Sequence, residues 1–190
     1  MRATATHEFN HVVQFGYDSI EGLNWLYEST ASWTETVTVG GETLQYDQLA
    51  LTTGSHPRKL PASIGGDLAN VFTVRTLADV DHMAKSIHAG GNAVIVGGGY
   101  IGLEAAAVAA KLGLHVTVIE AAQRILQRVA SPETSAYFRN LHQSHGVTIL
   151  EGTGLERLLG DGTVSSVRLS DGRELPADLV IVGIGIIPGI

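Results

Sequence analysis

Cysteine is absent from the 190 residues. A disulfide framework, a thiolate metal cluster and a Cys-x-x-Cys redox pair are therefore excluded within this chain. Positive charge is scarce: 12 Lys and Arg against 19 Asp and Glu leave a formal net charge of −7. Phosphate backbones are held by clustered basic side chains, so nucleic acid is disfavoured as a partner. No apolar run is long enough to span a bilayer, and no charged-then-apolar signal segment opens the sequence. The expectation is a soluble cytoplasmic protein with no membrane partner. Internal repeats and low-complexity tracts are also lacking.

What is present suits a chain that buries a real core, with 44% hydrophobic and 16% charged residues. Residues 1–35 hold no period for long and stay unassigned, apart from a helix or strand fragment expected near 20–28. "TVTVGGETLQY" then alternates apolar and polar residues on both sides of Gly40-Gly41, the pattern of a β-hairpin. "LALTTG" (49–54) reads as a short strand ending in glycine, and "SHPRKLPASIGGD" as an irregular connection.

From residue 76 strands and helices alternate, which predicts a parallel sheet with right-handed crossovers. Thr76 is the expected cap of a helix with Val80, Met83, Ala84 and Ile87 on its apolar side. "NAVIV" (92–96) is a buried strand, and the following helix places Ile101, Ala105, Val108, Ala109 and Leu112 on one face before Gly113 ends it. "HVTVIE" (115–120) is the next strand. "SPET" (131–134) announces a helix with Ser131 as cap and Pro132 at its first position, carrying the ridge Ala136/Tyr137, Phe138 and Leu141 up to Gly146. Further strands are expected at 147–150, 163–169 and 177–185, with a turn at Asp171-Gly172.

The stretch "VIVGGGYIGLE" (94–104) satisfies G-x-G-x-x-G with Gly97, Gly99 and Gly102. Twenty-three glycines make such a match weak alone; a strand before it, a helix after it and an acid ending the next strand make it strong. Gly97 allows the tight turn, Gly99 leaves room for a pyrophosphate and Gly102 lets the helix approach the sheet. N–H groups at the helix start, Gly98 included, face the phosphate charge. Glu120, 18 residues past Gly102, is placed to accept hydrogen bonds from the adenosine ribose and to repel a 2′-phosphate, which favours NADH over NADPH. Arg124 counts the other way, since a nearby arginine can meet a 2′-phosphate.

The long run "VIVGGGYIGLEAAAVAAKLGLHVTVIEAAQRILQRVASPETSAYFRNLHQSHGV" resembles the NAD-binding domain of FAD-dependent ferredoxin and rubredoxin reductases. "YDQLALTTGSHPRKLP" and "LPADLVIVGIGIIP" resemble the two ATG-type segments of that family, so the resemblance covers roughly 37–188. It implies a Rossmann-like three-layer α/β NAD(P)-binding domain over 76–177. Flanking it would be β-rich remnants of an FAD-binding domain at 1–75 and a return segment at 178–190. It also implies that Thr53 and Gly54 lie against FAD, that Gly183, Gly185 and Pro188 form the second crossing between the FAD and NAD domains, and that Tyr100, Ile101 and Glu104 face the nicotinamide. Hydride would pass from NADH to FAD, and single electrons to a ferredoxin or rubredoxin. The absence of Cys-x-x-Cys argues against the thioredoxin-reductase branch. A second strand–G-x-G-x-x-G, which a complete member uses for FAD, does not occur, so the chain is expected to be a fragment centred on the NAD-binding domain.

Rival readings carry less. "HEFNH" (7–11) satisfies H-E-x-x-H, with His7 and His11 as zinc ligands and Glu8 as base, yet no third ligand follows. His142 and His145 are three apart, but packing and solvent exposure account for them, and His56 reads as a loop residue. No nucleophile-elbow pattern accompanies Ser131 or Asp79, and no catalytic side chain is assigned. Arg58, Lys59, Arg124 and Arg128 are candidates for a basic docking patch or for solvated surface charge. A non-catalytic NAD-binding module is the alternative to the reductase.

Overall fold

A computed structural model describes the strands at 36–39 and 42–45 and the continuous stretch 52–189. The chain divides into two units, 1–54 with 188–190, and 55–187. In the first, β1 (Thr36–Val39) and β2 (Glu42–Gln45) pair antiparallel, with Thr36 opposite Gln45 and Val39 opposite Glu42, the pairing expected on either side of Gly40-Gly41. The fragment near 20–28 and the "HEFNH" motif lie outside the described residues.

The second unit holds a five-stranded parallel sheet in the order β4 (Val71–Phe72), β11 (Leu179–Val182), β5 (Asn92–Val96), β6 (His115–Glu120), β7 (Thr148–Glu151). Both faces are covered, so its central strands read as unbroken apolar runs. Ala93 and Ile95 of β5 face one side, Val94 and Val96 the other, and all four are buried. Three helices cover the first side: α1 (Leu77–Ala84), α2 (Tyr100–Lys111) and α3 (Pro132–Ser144). An antiparallel meander of β8 (Leu155–Asp161), β9 (Thr163–Leu169) and β10 (Glu174–Pro176) covers the second with Leu158, Val164, Val167 and Leu169. The expected three layers are present, the third built from strands. The sheet takes in β4 and β11, which lie outside the expected span 76–177.

Local chemistry accounts for the helix starts. Thr76 and Asp79 form a reciprocal capping box: Thr76 Oγ1 accepts from Asp79 N at 3.3 Å, and Asp79 Oδ2 accepts from Thr76 N at 2.7 Å. The Thr76 N–H holds the Asp79 carboxyl below the usual range. Ser131 caps α3 by accepting from Thr134 N at 3.3 Å, with Pro132 in the first turn.

The helix faces differ from the expectation. On α2 the buried residues are Gly102, Leu103, Ala106 and Ala109, whereas Ile101, Val108 and Leu112 are exposed. This Ala-rich helix is apolar nearly all round, so periodicity does not select its inner face. Gly102 does: a Cβ there would strike the Gly97 carbonyl oxygen, which fixes the rotation of the helix. On α3 the buried face is Ser135 and His142 with Phe138 partly covered, while Tyr137 and Leu141 point outward. Of the two histidines read as packed or solvent-exposed, His142 is buried, and burial pushes its imidazole pKa down with His145 adding to the effect. His145 is exposed, its Nδ1 2.8 Å from the Leu141 carbonyl.

Further differences concern strands, β4 and β10 among them, since neither has a counterpart in the expectation. Thr52–Gly54 is not in a strand; β3 (Ser55–Pro57) follows it, in what read as an irregular connection, and pairs with β12 (Ile186–Pro188). β8 has no counterpart in the expectation. Its register shifts between Leu155 and Arg157 and between Leu159 and Gly160, and such bulges erase the two-residue alternation that marks a strand.

Candidate dinucleotide-binding site

Crossovers leave β5 towards β6 and β7 on the helical side, whereas the meander returns the chain to β11 on the other flank of β5. The carboxyl edge of β5 and β11 is thus a switch point, where open α/β sheets form their ligand crevice. The glycine loop Gly97–Gly99 lies on this edge, and α2 starts from it.

Each glycine there meets different surroundings. Gly97 has φ +108°, and a Cβ on it would strike the Gly183 carbonyl oxygen. Gly183 in turn donates its N–H to Val96 O at 2.8 Å, so the residue after β11 backs the loop directly. Gly98 is buried, and a Cβ would come within 2.6 Å of Ile125 Cγ2. Gly99 differs from all of these: its φ is an ordinary −83°, and a Cβ would meet nothing within 4 Å. As N-cap of α2 it offers no side chain to the first helical N–H groups. That leaves unpaired donors and the positive dipole end beside open space.

Glu120 closes the cradle. Its Oε2 accepts from Gly98 N at 2.7 Å and its Oε1 from Ala122 N at 2.7 Å. A carboxylate has about four acceptor positions, so two remain for a hydroxyl-bearing ligand. The Gly98 carbonyl accepts from Leu126 N at 2.9 Å, which ties the glycine loop to the loop after β6. Leu126 holds φ +54°, a conformation that non-glycine residues adopt at a cost.

The loop after β6 is secured by residues that sequence reasoning missed. Glu151 stands opposite Glu120 in the parallel register of β6 and β7. Its Oε1 accepts from Ile125 N at 2.8 Å and its Oε2 lies 3.3 Å from Arg139 Nε. Ser135, with no exposed surface, donates to Ile125 O at 2.7 Å. A signal did exist, since both strands close on the same pattern, "VTVIE" at 116–120 and "VTILE" at 147–151.

The structure therefore gathers Gly97, Gly98, Gly99, Gly102, Glu120 and Gly183 at one edge. Tyr100, Ile101 and Glu104 are exposed on the first turns of α2. Arg124 is engaged within the chain: Nη1 donates to Ser135 Oγ at 2.6 Å and to Ser131 O at 3.4 Å, and Nη2 to Gln127 O at 3.1 Å. Gly185 is exposed with φ +105°, and its carbonyl accepts from Arg58 N at 2.9 Å. Arg58 also donates from Nε to Ile186 O at 3.1 Å. Thr53 and Gly54 belong to the other unit, where Gly54 O accepts from Gly189 N at 2.9 Å. Among the described residues no group of three His, Asp or Glu side chains is placed to hold a metal, and no helix is long and apolar enough to cross a membrane.

Comparison with known proteins agrees with this architecture. The chain is 45% identical over 153 residues to the putidaredoxin reductase of Pseudomonas putida, covering 78% of this chain and 36% of that one. It is 49% identical over 151 residues to a ferredoxin–NAD(P)(+) reductase of Sphingomonas, covering 79% and 36%. Among solved structures, the covalent putidaredoxin reductase–putidaredoxin complex superposes with a TM-score of 0.71 at 42% identity, over 81% of this chain and 38% of that one. The chain thus spans about a third of the length of the curated relatives it matches. Residues 6–190 match the model of one family, so the match also takes in most of the N-terminal stretch that periodicity leaves unassigned. On a match of that extent, and on its identity to these relatives, the chain belongs to the pyridine nucleotide-disulphide oxidoreductase family.

Proposed function

We propose that this chain is the NADH-binding portion of an FAD-dependent reductase that passes electrons to a small iron–sulfur protein of the ferredoxin or rubredoxin class. The observation that carries the reading is the edge where Glu120 grips Gly98 N–H while Gly99 leaves open space at the start of α2. In this reading the N–H groups at the start of α2, from Gly99 to Gly102, hold the pyrophosphate. Gly97 and Gly98, whose own N–H groups go to Ile119 O and Glu120 and not to a phosphate as the sequence suggested, shape the turn. Glu120 uses its free lone pairs on the adenosine ribose and repels a 2′-phosphate, which favours NADH. Tyr100, Ile101 and Glu104 line the nicotinamide end, Thr53 and Gly54 face the flavin, and Gly183 and Gly185 form the second crossing. When bound, the two cofactors supply hydride transfer and its division into single electrons; the chain's own residues bind, orient and exclude water.

The division into a partial FAD-binding domain at 1–75, an NAD-binding domain at 76–177 and a return segment at 178–190 belongs to the same proposal. So does a cytoplasmic setting, where reduced nicotinamide coenzyme is available. Titration of the full chain with NADH and NADPH, followed by fluorescence, tests the binding half. NADH is expected to bind more tightly, and Glu120→Ala to erase that preference; an unchanged preference in the variant would remove Glu120 from the ribose. Addition of FAD, then NADH, tests turnover by bleaching of the flavin absorbance. One strand–G-x-G-x-x-G in place of two favours a second reading, a module that binds NADH without turnover. A chain that binds NADH but neither retains nor bleaches flavin decides for it.

A further inference from the structure

We propose that Ser135 is a positioning residue for coenzyme selectivity, holding the Arg124 guanidinium away from the ribose end of the site. The proposal rests on the NADH-binding reading above and concerns why an arginine only four residues past Glu120 does not turn the site towards NADPH.

Three observations support it. Arg124 shares the loop after β6 with Ala122, whose N–H is bound by Glu120, so its backbone is close to the carboxylate. A planar guanidinium in such a loop is the group that meets a 2′-phosphate. Here, however, three of its five N–H donors are directed at Ser135 Oγ, Ser131 O and Gln127 O, and the contact to Ser135 is the shortest of the three at 2.6 Å.

Ser135 suits that task by its own geometry. It is fully buried, and its single hydroxyl hydrogen goes to Ile125 O at 2.7 Å, so only lone pairs face Arg124. The hydroxyl therefore acts as a one-way acceptor for the cation. Its orientation is set by Ile125, whose N–H is held by Glu151 at 2.8 Å. Loss of the hydroxyl removes the shortest of the three contacts and leaves the guanidinium on Gln127 O at 3.1 Å and the long 3.4 Å contact to Ser131 O, a weaker hold on a flexible side chain. The loop itself stays tied through Glu151 and through Leu126 N to Gly98 O. A loosened cation, without collapse of the loop, is the consequence.

The test measures dissociation constants of NADH and NADPH for the full chain, wild type against Ser135→Ala. The ratio of the NADPH to the NADH constant is expected to fall roughly fivefold, the effect of freeing one charge-assisted donor for a phosphate. In Arg124→Gln combined with Ser135→Ala the gain is expected to disappear, since no cation remains to be released. Equal weakening of both coenzymes in Ser135→Ala overturns the proposal, because it marks the serine as loop scaffolding only. An unchanged ratio with unchanged NADH affinity overturns it as well. If the alanine variant does not fold, Ser135→Cys keeps the volume with a much weaker acceptor and is read in the same way. A wild-type chain that binds neither dinucleotide refutes the NADH reading, and this proposal with it.

Discussion

The two loops at the carboxyl edge of the sheet are built on opposite principles. The glycine loop is shaped by missing side chains: Gly97, Gly98 and Gly102 stand where a Cβ would strike Gly183, Ile125 and Gly97 respectively. The loop after β6 is shaped by side chains that are present, with Glu120, Glu151, Ser135 and Arg124 binding its N–H and C=O groups. The first loop is thus sensitive to added atoms and the second to removed ones. A single backbone pairing, Leu126 N to Gly98 O, joins them into one cradle.

The largest expected effect comes from adding atoms to the first loop. Gly102→Val should destabilise the fold by about 3 kcal/mol or more, because the collision is with backbone that cannot swing aside. Chemical denaturation measures it, and wild-type stability in this variant would break the account of how α2 is oriented. Next is removal from the second loop. Glu151→Ala leaves the Ile125 N–H without its acceptor and should cost about 2 kcal/mol by the same measurement. Arg139→Ala, which removes only the partly exposed ion pair, should cost under about 1 kcal/mol.

Glu120→Gln tests whether the joint between the loops matters apart from any ligand. The amide keeps one acceptor oxygen but presents N–H₂ to the other donor, so a loss of about 1 kcal/mol is expected without coenzyme. A pH dependence follows from His142, on the helix that carries Ser135. Burial lowers its folded pKa, so the unfolded chain binds the extra proton first as pH falls. Its share of stability is complete above the ordinary histidine value of about 6.5 and declines as pH falls below it towards the folded value. His142→Gln should flatten the stability profile in that window. The smallest expected effect is that of Gly99→Ala, within about 0.5 kcal/mol of wild type, since a Cβ meets nothing there. Loss of NADH affinity at unchanged stability in this variant would separate a ligand role from a folding one.

Much of this cradle was legible in the residues. "NAVIV", "HVTVIE" and the glycine triplet occupy the expected elements, and Thr76, Ser131 and Pro132 start the helices expected of them. The inner faces of α2 and α3 were not legible. Apolar residues such as Val108, Tyr137 and Leu141 suit burial by type, yet the space beneath the helices is taken by Gly102 against Gly97 and by Ser135 against Ile125. A polar residue at the core and a glycine at a crossing both hide from a count of hydrophobic spacing. β8 was hidden for a related reason, as its bulges break the alternation.

Local sequence determined where most strands and helices begin and that a tight glycine loop follows β5, because caps, prolines and glycines act within a few residues of themselves. Tertiary structure decided the rest. It made Arg124 a pin rather than a free cation, backed the glycine loop with Gly183 and set Glu151 beside Glu120. These partners lie between 11 and 86 residues apart along the chain. Only the pairing of β7 and β11 with their neighbours, and the packing of α3 over the loop, brings them side by side.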